Sequence, residues 1–274
     1  MSSTNNTIVL VTGSNKGIGF SIAQALLSST AKGYTIILTS RTLSRAQQAA
    51  QSLEQEVKSS VTGSQVFAFQ LDIEDDGSIE TLFAEVEKPF GRVDVLVNNA
   101  GASFDIIGPQ AGWTERELWA KTYNLNVVST RQFTRMFIPL LLKSTTPRLL
   151  FMTSTVSSLT ETSITAYPYN TPPKEKGWPK TDIGFNIAAY RASKTALNMQ
   201  ARDWHQVLQA DGVIVHLIDP GRVATEFGGG DPTEKIKTGA STPDVPAGLV
   251  KRVIEGELDQ DRGKIVGING IVPW

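Results

Sequence analysis

The chain has 274 residues with 26 basic and 27 acidic side chains, a formal net charge of -1. That length can bury a large core within one α/β unit, and the near-neutral balance supplies no field to draw the chain onto nucleic acid or an anionic membrane. With no cysteine and two histidines, a disulfide scaffold, a thiolate nucleophile and a cysteine-ligated metal centre are all excluded.

Met1 to Thr7 is polar and uncharged, and the apolar run Ile8–Val11 before Gly13 is too short for a signal-peptide core. No stretch approaches the roughly 20 apolar residues of a membrane span. The expected location is cytoplasmic and the expected partner a small molecule. Short β-branched runs then recur at Ile8–Thr12, Thr35–Thr39, Val66–Gln70, Val93–Val97, Leu149–Thr153, Val213–Ile218 and Lys264–Ile268. Strands apolar on both faces belong in a parallel sheet covered by helices on each side. Between them, Ile18–Leu27, Leu43–Val57, Ile79–Val86 and Glu117–Leu142 repeat apolar residues three and four apart, the stripe of a helix packed on a sheet. This alternation predicts a doubly wound α/β Rossmann fold, with residues 1–274 as one domain.

Two segments break the rhythm. Thr160–Asn186 carries Pro168, Pro172, Pro173 and Pro179 around Lys174, Glu175 and Lys176, which forbids regular helix and predicts a surface excursion. Phe227–Pro246 opens on Gly228-Gly229-Gly230 and contains Pro232, Pro243 and Pro246, the composition of a mobile substrate lid.

The first apolar run leads directly into Gly13-Ser14-Asn15-Lys16-Gly17-Ile18-Gly19, which opens a helical pattern. Glycines there allow a sharp turn and a close approach to a pyrophosphate, and the helix N-terminus attracts its charge. A tight strand-to-helix turn is the structural alternative. The second run ends at Ser40 and is followed by Arg41, with no acid to receive a ribose 2′-hydroxyl. Arg41 and Lys16 would instead clamp a 2′-phosphate, so NADP(H) is the expected cofactor. A solvated position for both cations is the alternative.

Tyr190-Arg191-Ala192-Ser193-Lys194 begins another helical pattern, so Tyr190 and Lys194, four apart, share one face. An adjacent ammonium and a cationic nicotinamide ring both favour a phenolate, which would fit Tyr190 to exchange a proton with a forming alkoxide.

With these motifs in view, nearly the whole chain resembles the short-chain dehydrogenase/reductase family. The likeness rests on the Thr12–Gly19 loop, Asp72, Asn98-Asn99-Ala100-Gly101, Asn126, Ser154, Tyr190 with Lys194, and Pro220-Gly221, in that order. The resemblance implies a seven-stranded parallel sheet with the site at the strand C-termini. Ser154 would polarise a substrate carbonyl, with Ser157 as the other choice in a hydroxyl-rich run. Tyr190 would protonate the carbonyl oxygen, Lys194 would hold the ribose and lower the tyrosine pKa, and Asn126 would hold a relay water. Asp72 would contact adenine, with a helix cap as the lesser alternative for an Asp at that place. Asn99 would line the ribose and brace the sheet, and Val223 with Thr225 would reach the nicotinamide amide and pyrophosphate. Asp219 stands where the family has Asn.

The runs around Lys16, Arg41 and Asp72 look like the NADPH-dependent carbonyl reductases, as does the separation of 36 positions between Ser154 and Tyr190. In monomeric carbonyl reductases an insertion at this place covers a dimer surface, so the resemblance allows a monomer or a homodimer. Reduction of a ketone or aldehyde is the leading expectation. The alternatives are alcohol oxidation with NADP and a non-catalytic NADP(H) sensor.

His205 and His216 lack a partner at ligand spacing, so a satisfied structural role and no metal site are expected. For Trp113, Trp119, Trp178, Trp204 and Trp274, packing is the larger expectation. Phe104, Ile106, Tyr167, Trp178 and Phe227 are candidates to line the pocket for a bulky or aromatic ketone.

Overall fold

The computed structural model describes residues 6–57, 62–180 and 186–274. In chain order the elements begin β1 (Thr7–Val11), α1 (Gly17–Leu27), β2 (Tyr34–Ser40), α2 (Leu43–Glu56), β3 (Gln65–Gln70) and α3 (Asp76–Phe90). They continue β4 (Val95–Asn98), α4 (Ile107–Gln110), α5 (Glu115–Tyr123), a π-helical turn (Asn124–Ser129), α6 (Thr130–Leu141) and β5 (Arg148–Met152). After three short 3₁₀ turns come α7 (Ala188–Val207), β6 (Ile214–Asp219), α8 (Pro232–Lys237), α9 (Asp244–Ile254), β7 (Ile265–Gly267) and β8 (Gly270–Val272).

One sheet runs in the order β3-β2-β1-β4-β5-β6-β7-β8. The expected seven strands are all parallel, and an eighth, β8, returns antiparallel on β7, pairing Val266 with Ile271. The run Gly270–Val272 is too short and too exposed to carry the apolar signature of the buried strands. Strand order reverses between β1 and β4, which opens a crevice at their C-terminal ends, the place where such sheets take ligands.

Side chains alternate across each strand. In β1, Val9 and Val11 enter a core with Ile22 and Leu26 of α1, Leu53 of α2 and Val250 and Val253 of α9. Ile8 and Leu10 enter the opposite core, with Leu82 of α3, Phe133 and Phe137 of α6, and Leu197 and Trp204 of α7. Phe133, Phe137 and Phe151 are fully buried, each contributing on the order of 1.5–3 kcal/mol from apolar burial.

The predicted helix Glu117–Leu142 is not one α-helix. It breaks at the π-helical turn, where one extra residue per turn displaces the α register. Side chains take up backbone acceptors there, with Gln200 Nε2 donating to the Val127 carbonyl at 3.0 Å. A pattern of apolar residues cannot distinguish a single widened turn inside a helix, because the stripe on either side continues.

In the expected excursion, 3₁₀ turns at Glu161–Ser163 and Pro168–Asn170 are the regular structure among the described residues, and 181–185 lie outside them. Residues 1–5 of the polar start also lie outside. The expected lid holds a helix: Asp231 caps α8 by accepting from the Thr233 N–H at 2.8 Å. Among the described residues no helix is long and apolar enough to cross a membrane.

Candidate active site

The loop between β1 and α1 is shaped by its glycines. Gly13 and Gly17 take left-handed φ values of 62° and 59°, which residues with a Cβ rarely adopt. At Gly19 an added Cβ would lie 2.6 Å from Asn99 Nδ2 and 2.8 Å from the Gly13 carbonyl oxygen. Ser14 is fully buried; its hydroxyl donates to the Val11 carbonyl at 2.8 Å and accepts from the Thr39 N–H at 2.9 Å. Ile18 packs on the core. Asn99 donates from Nδ2 to the carbonyls of Thr12 and Gly13, tying the ends of β1 and β4 together. Thr225 lies beside Gly17, and Val223 bridges to Ser241.

No side chain caps the first turn of α1, and that turn carries no acid. Its N–H groups and the fixed partial positive charge of the helix end therefore face the crevice. Asn15 and Lys16 line a cavity of about 400 Å³ with Phe20 and with Arg45, Gln48, Ala49 and Ser52 of α2. The cavity joins Lys16 to Arg45; Arg41 stands exposed at the end of β2 and is not part of its lining. Arg45 follows Arg41 by four residues on the first turn of α2, a spacing that could have marked it. Lys16 also forms an exposed ion pair with Glu226, Nζ to Oε2 2.5 Å, so its ammonium is not free in this structure. Asp72 follows β3, and its carboxylate accepts the Glu74 N–H at 3.1 Å. Asp75, not Asp72, caps α3 by accepting from Gly77 and Ser78. A glycine cradle, an uncapped helix end, two cations and no acid after β2 together fit a phosphorylated dinucleotide.

At the other end of the crevice stands Tyr190, half-buried on the first turn of α7. The Ser154 side chain faces its phenol, and Lys194 Nζ lies 5.8 Å from its ring centroid. Lys194 is buried and donates to the Met152 carbonyl at 2.8 Å. A Cβ on Gly101 would lie 3.0 Å from Asn126 Oδ1 and 3.4 Å from Lys194 Nζ, so Asn126 and Lys194 meet across that glycine. Asn126, on the π-helical turn, donates to the Ala102 carbonyl at 2.8 Å and to Ser193 Oγ at 3.0 Å and accepts from the Ala102 N–H. Its amide braces a loop to α7.

The two serines separate cleanly. Ser157 is 2% exposed and bonds inward to the Ser154 carbonyl and to Asn198, whereas Ser154 faces Tyr190. Burial pushes the Tyr190 phenol well above its ordinary value of 10.0, the Ser154 hydroxyl opposes this, and the charges of Asp219 and Asp105 add to it. The downward pull expected from Lys194 is not among these influences. Burial lowers Lys194 itself to about 8.

Asp219, read only as a departure from a motif, accepts from the Thr155 N–H at 2.9 Å and the Gly221 N–H at 3.2 Å. The Phe227 ring packs edge-on against Tyr190 at 5.3 Å between centroids, so the lid segment reaches the phenol. Phe104 packs on Trp113, and Tyr167 stacks on Tyr169. Trp178 does not pack: it is 88% exposed on the proline-rich excursion, where the chain has no core to offer. His216 holds the Leu258 carbonyl through Nε2, but the Nδ1 atoms of both histidines are buried without a partner, so neither ring is fully satisfied.

A family profile described as short chain dehydrogenase matches residues 7–169. The chain is 38% identical over 276 residues to the short-chain dehydrogenase/reductase eupG of a Phoma species, covering 97% of each. It is 39% identical to the short-chain dehydrogenase/reductase tropE of Talaromyces stipitatus, covering 96% of each. It is 28% identical to carbonyl reductase (NADPH) 1 of Sus scrofa, covering 99% of this chain and 96% of that one. In fold it is similar to the crystal structure of NADPH-bound carbonyl reductase from chicken fatty liver, with TM-score 0.76, 24% identity, and coverage of 98% and 100%.

Proposed function

Because the chain belongs to the short-chain dehydrogenase/reductase family of oxidoreductases, we propose that it reduces a ketone or aldehyde with NADPH, Tyr190 giving the proton. The observation that carries this reading is the meeting of the Ser154 hydroxyl, the Tyr190 phenol and the Lys194 ammonium at one end of the glycine-lined crevice. NADPH, when bound, supplies the hydride.

Lys16 and Arg45, with Arg41 nearby in sequence, would hold the 2′-phosphate, and the uncapped turn of α1 the pyrophosphate. Asp72 and Asn99 would face the adenosine, and Val223 and Thr225 the nicotinamide side. The NADPH dependence named for the Sus scrofa relative supports the same choice. Ser154 would donate to the carbonyl oxygen and polarise it. Tyr190, held as a neutral phenol by burial, is a proton donor to the oxygen that gains charge. Lys194, anchored on the Met152 carbonyl, places a cation beside the phenolate that results. Asn126 fixes the Ala102 loop against α7 and so keeps the pocket wall in register. One proton and one hydride convert the carbonyl to an alcohol.

Phe227, Ile106 and Tyr167 are all at least partly exposed, and Phe227 touches the Tyr190 ring. An apolar or aromatic carbonyl compound suits a mouth with such walls.

The test follows nicotinamide absorbance with NADPH or NADH against aromatic ketones, quinones and aliphatic aldehydes, for the wild type and Tyr190→Phe. Loss of the general acid should reduce turnover by roughly a hundredfold to ten-thousandfold, with NADPH binding intact by fluorescence. Undiminished turnover in Tyr190→Phe would remove the assignment.

A further inference from the structure

Helix α7 carries both Tyr190 and Lys194, yet its own start offers little to hold it. Ile187 at the cap position makes no side-chain cap bond, and the first turn contains no acid. Asn186 Oδ1 accepts the Ala188 N–H at 3.1 Å. The next two N–H groups are taken by a residue 84 and 85 positions earlier: Asp105 Oδ1 accepts from Ala189 at 2.9 Å and Oδ2 accepts from Tyr190 at 3.1 Å. One carboxylate thus caps a 20-residue helix from a different loop, with its charge at the positive end of the helix dipole.

That loop is held at a second point. Asn126 grips both the N–H and the carbonyl of Ala102, and Ser103 Oγ donates to Asp105 Oδ2 at 3.3 Å. Residues 101–106 are therefore fastened to the π-helical turn at one end and to α7 at the other. The same loop forms a wall of the crevice, with Ser103 beside Gly228 and Ile107 beside Gly229 of the lid. A carboxylate bound to the Tyr190 N–H fixes where that residue's Cα sits, and its negative charge disfavours a second negative charge on the phenol.

We propose that Asp105 is a positioning residue: by capping α7 from the wall loop, it sets the place of the Tyr190 phenol and keeps it protonated for donation. The proposal rests on the reading of Tyr190 as proton donor. The groups facing that phenol are Ser154 after β5, Lys194 on its own helix, Asp219 at the end of β6, Asp105 and the uncharged edge of Phe227. Asp105 is the acid among them that contacts the tyrosine backbone. Asp219 braces the 155 and 221 backbones instead.

Asp105→Asn keeps an acceptor oxygen for α7 but removes the charge; Asp105→Ala removes both. The alkaline limb of kcat/KM for carbonyl reduction reports the loss of the proton that Tyr190 donates. Removing a negative neighbour lowers the proton affinity of the phenol, so in Asp105→Asn the limb should move to lower pH by about half a unit or more. Asp105→Ala should lower kcat by about tenfold or more with the KM for NADPH unchanged. It should also raise hydrogen–deuterium exchange at the amides of Ala189 and Tyr190 and leave those beyond Lys194 protected. An alkaline limb that stays in place in Asp105→Asn, or exchange at residues 189 and 190 equal to wild type in Asp105→Ala, overturns the proposal. Should Asp105→Ala fail to fold, the Asp105→Asn limb decides. If the wild type reduces no carbonyl, the functional reading has failed, and the exchange data still determine whether Asp105 holds the end of α7.

Discussion

Lys16 illustrates how a residue that is legible in sequence can have an illegible partner. Its place in the glycine loop and the missing acid after β2 point to a phosphate, but which groups share its neighbourhood depends on chain folding. The structure puts Arg45 across the cavity from it and Glu226 directly on it. Glu226 is held in its charged form below the usual carboxylate range by the hydrogen bond and charge of Lys16. A 2′-phosphate must compete with that carboxylate for the same ammonium. Glu226→Gln should therefore tighten NADPH binding by roughly two- to fivefold, the scale of an exposed ion pair, and leave NADH binding unchanged. Fluorescence titration with both nucleotides checks this, and equal tightening of NADH would show that Lys16 does not meet the phosphate. The choice between Ser154 and Ser157 has the same character. Three residues apart in a hydroxyl-rich run, they are indistinguishable by type, and only the burial of Ser157 against Asn198 separates them.

At the scale of elements, the seven parallel strands and most of the helices were readable because alternation and the 3.6-residue stripe are local properties. Strand boundaries moved by at most two residues, as with Val93–Val97 against β4 at Val95–Asn98, whereas the expected helix Ile79–Val86 fell short of α3 at Asp76–Phe90 by three residues at its start and four at its end. The π-helical turn was invisible for the reason that makes it useful: it interrupts the winding without interrupting the apolar face. Asn126 reaches Ala102 and Ser193 from that turn. Val128, 58% exposed, makes little demand on packing there. Its deletion should restore α winding and turn the residues before it by about 100° relative to α6. Asn126 would then leave its partners, and turnover should fall by roughly a hundredfold while far-ultraviolet circular dichroism remains near wild type. Retained turnover would mean that the wide turn is dispensable. Helix α8 was missed because Pro232 and the glycines before it read as loop, whereas Pro at the first helical position is compatible with a helix.

For the molecule as a whole, a buried imidazole contributes to acid sensitivity. His216 on β6 is fully buried, donates from Nε2 to the Leu258 carbonyl, and leaves Nδ1 without a partner. Desolvation lowers its proton affinity below the ordinary 6.5, outweighing the carbonyl bond and the nearby Asp259. The unfolded chain therefore takes up a proton that the folded chain refuses. The stability conferred by a neutral His216 is present above pH 6.5 and is lost as pH falls below that unfolded value. The melting temperature should decline on that side, and His216→Leu should flatten the decline relative to wild type in parallel thermal scans at stepped pH. An unchanged slope would assign the acid response to other groups, such as His205, which shifts in the same direction.

What the sequence by itself determined was the α/β rhythm, the glycine loop that opens α1, the absence of an acid after β2, and the shared helix face of Tyr190 and Lys194. All of these are patterns among residues close in the chain, where spacing translates directly into geometry. Only the tertiary structure decided that Ser154 faces Tyr190, that Arg45 joins Lys16, that Phe227 lies against the phenol and that Asp105 caps α7. Those contacts join residues separated by tens of positions across the crevice. A carboxylate in a loop has no periodicity to mark it, and its partner is chosen by where the sheet brings the two loops together.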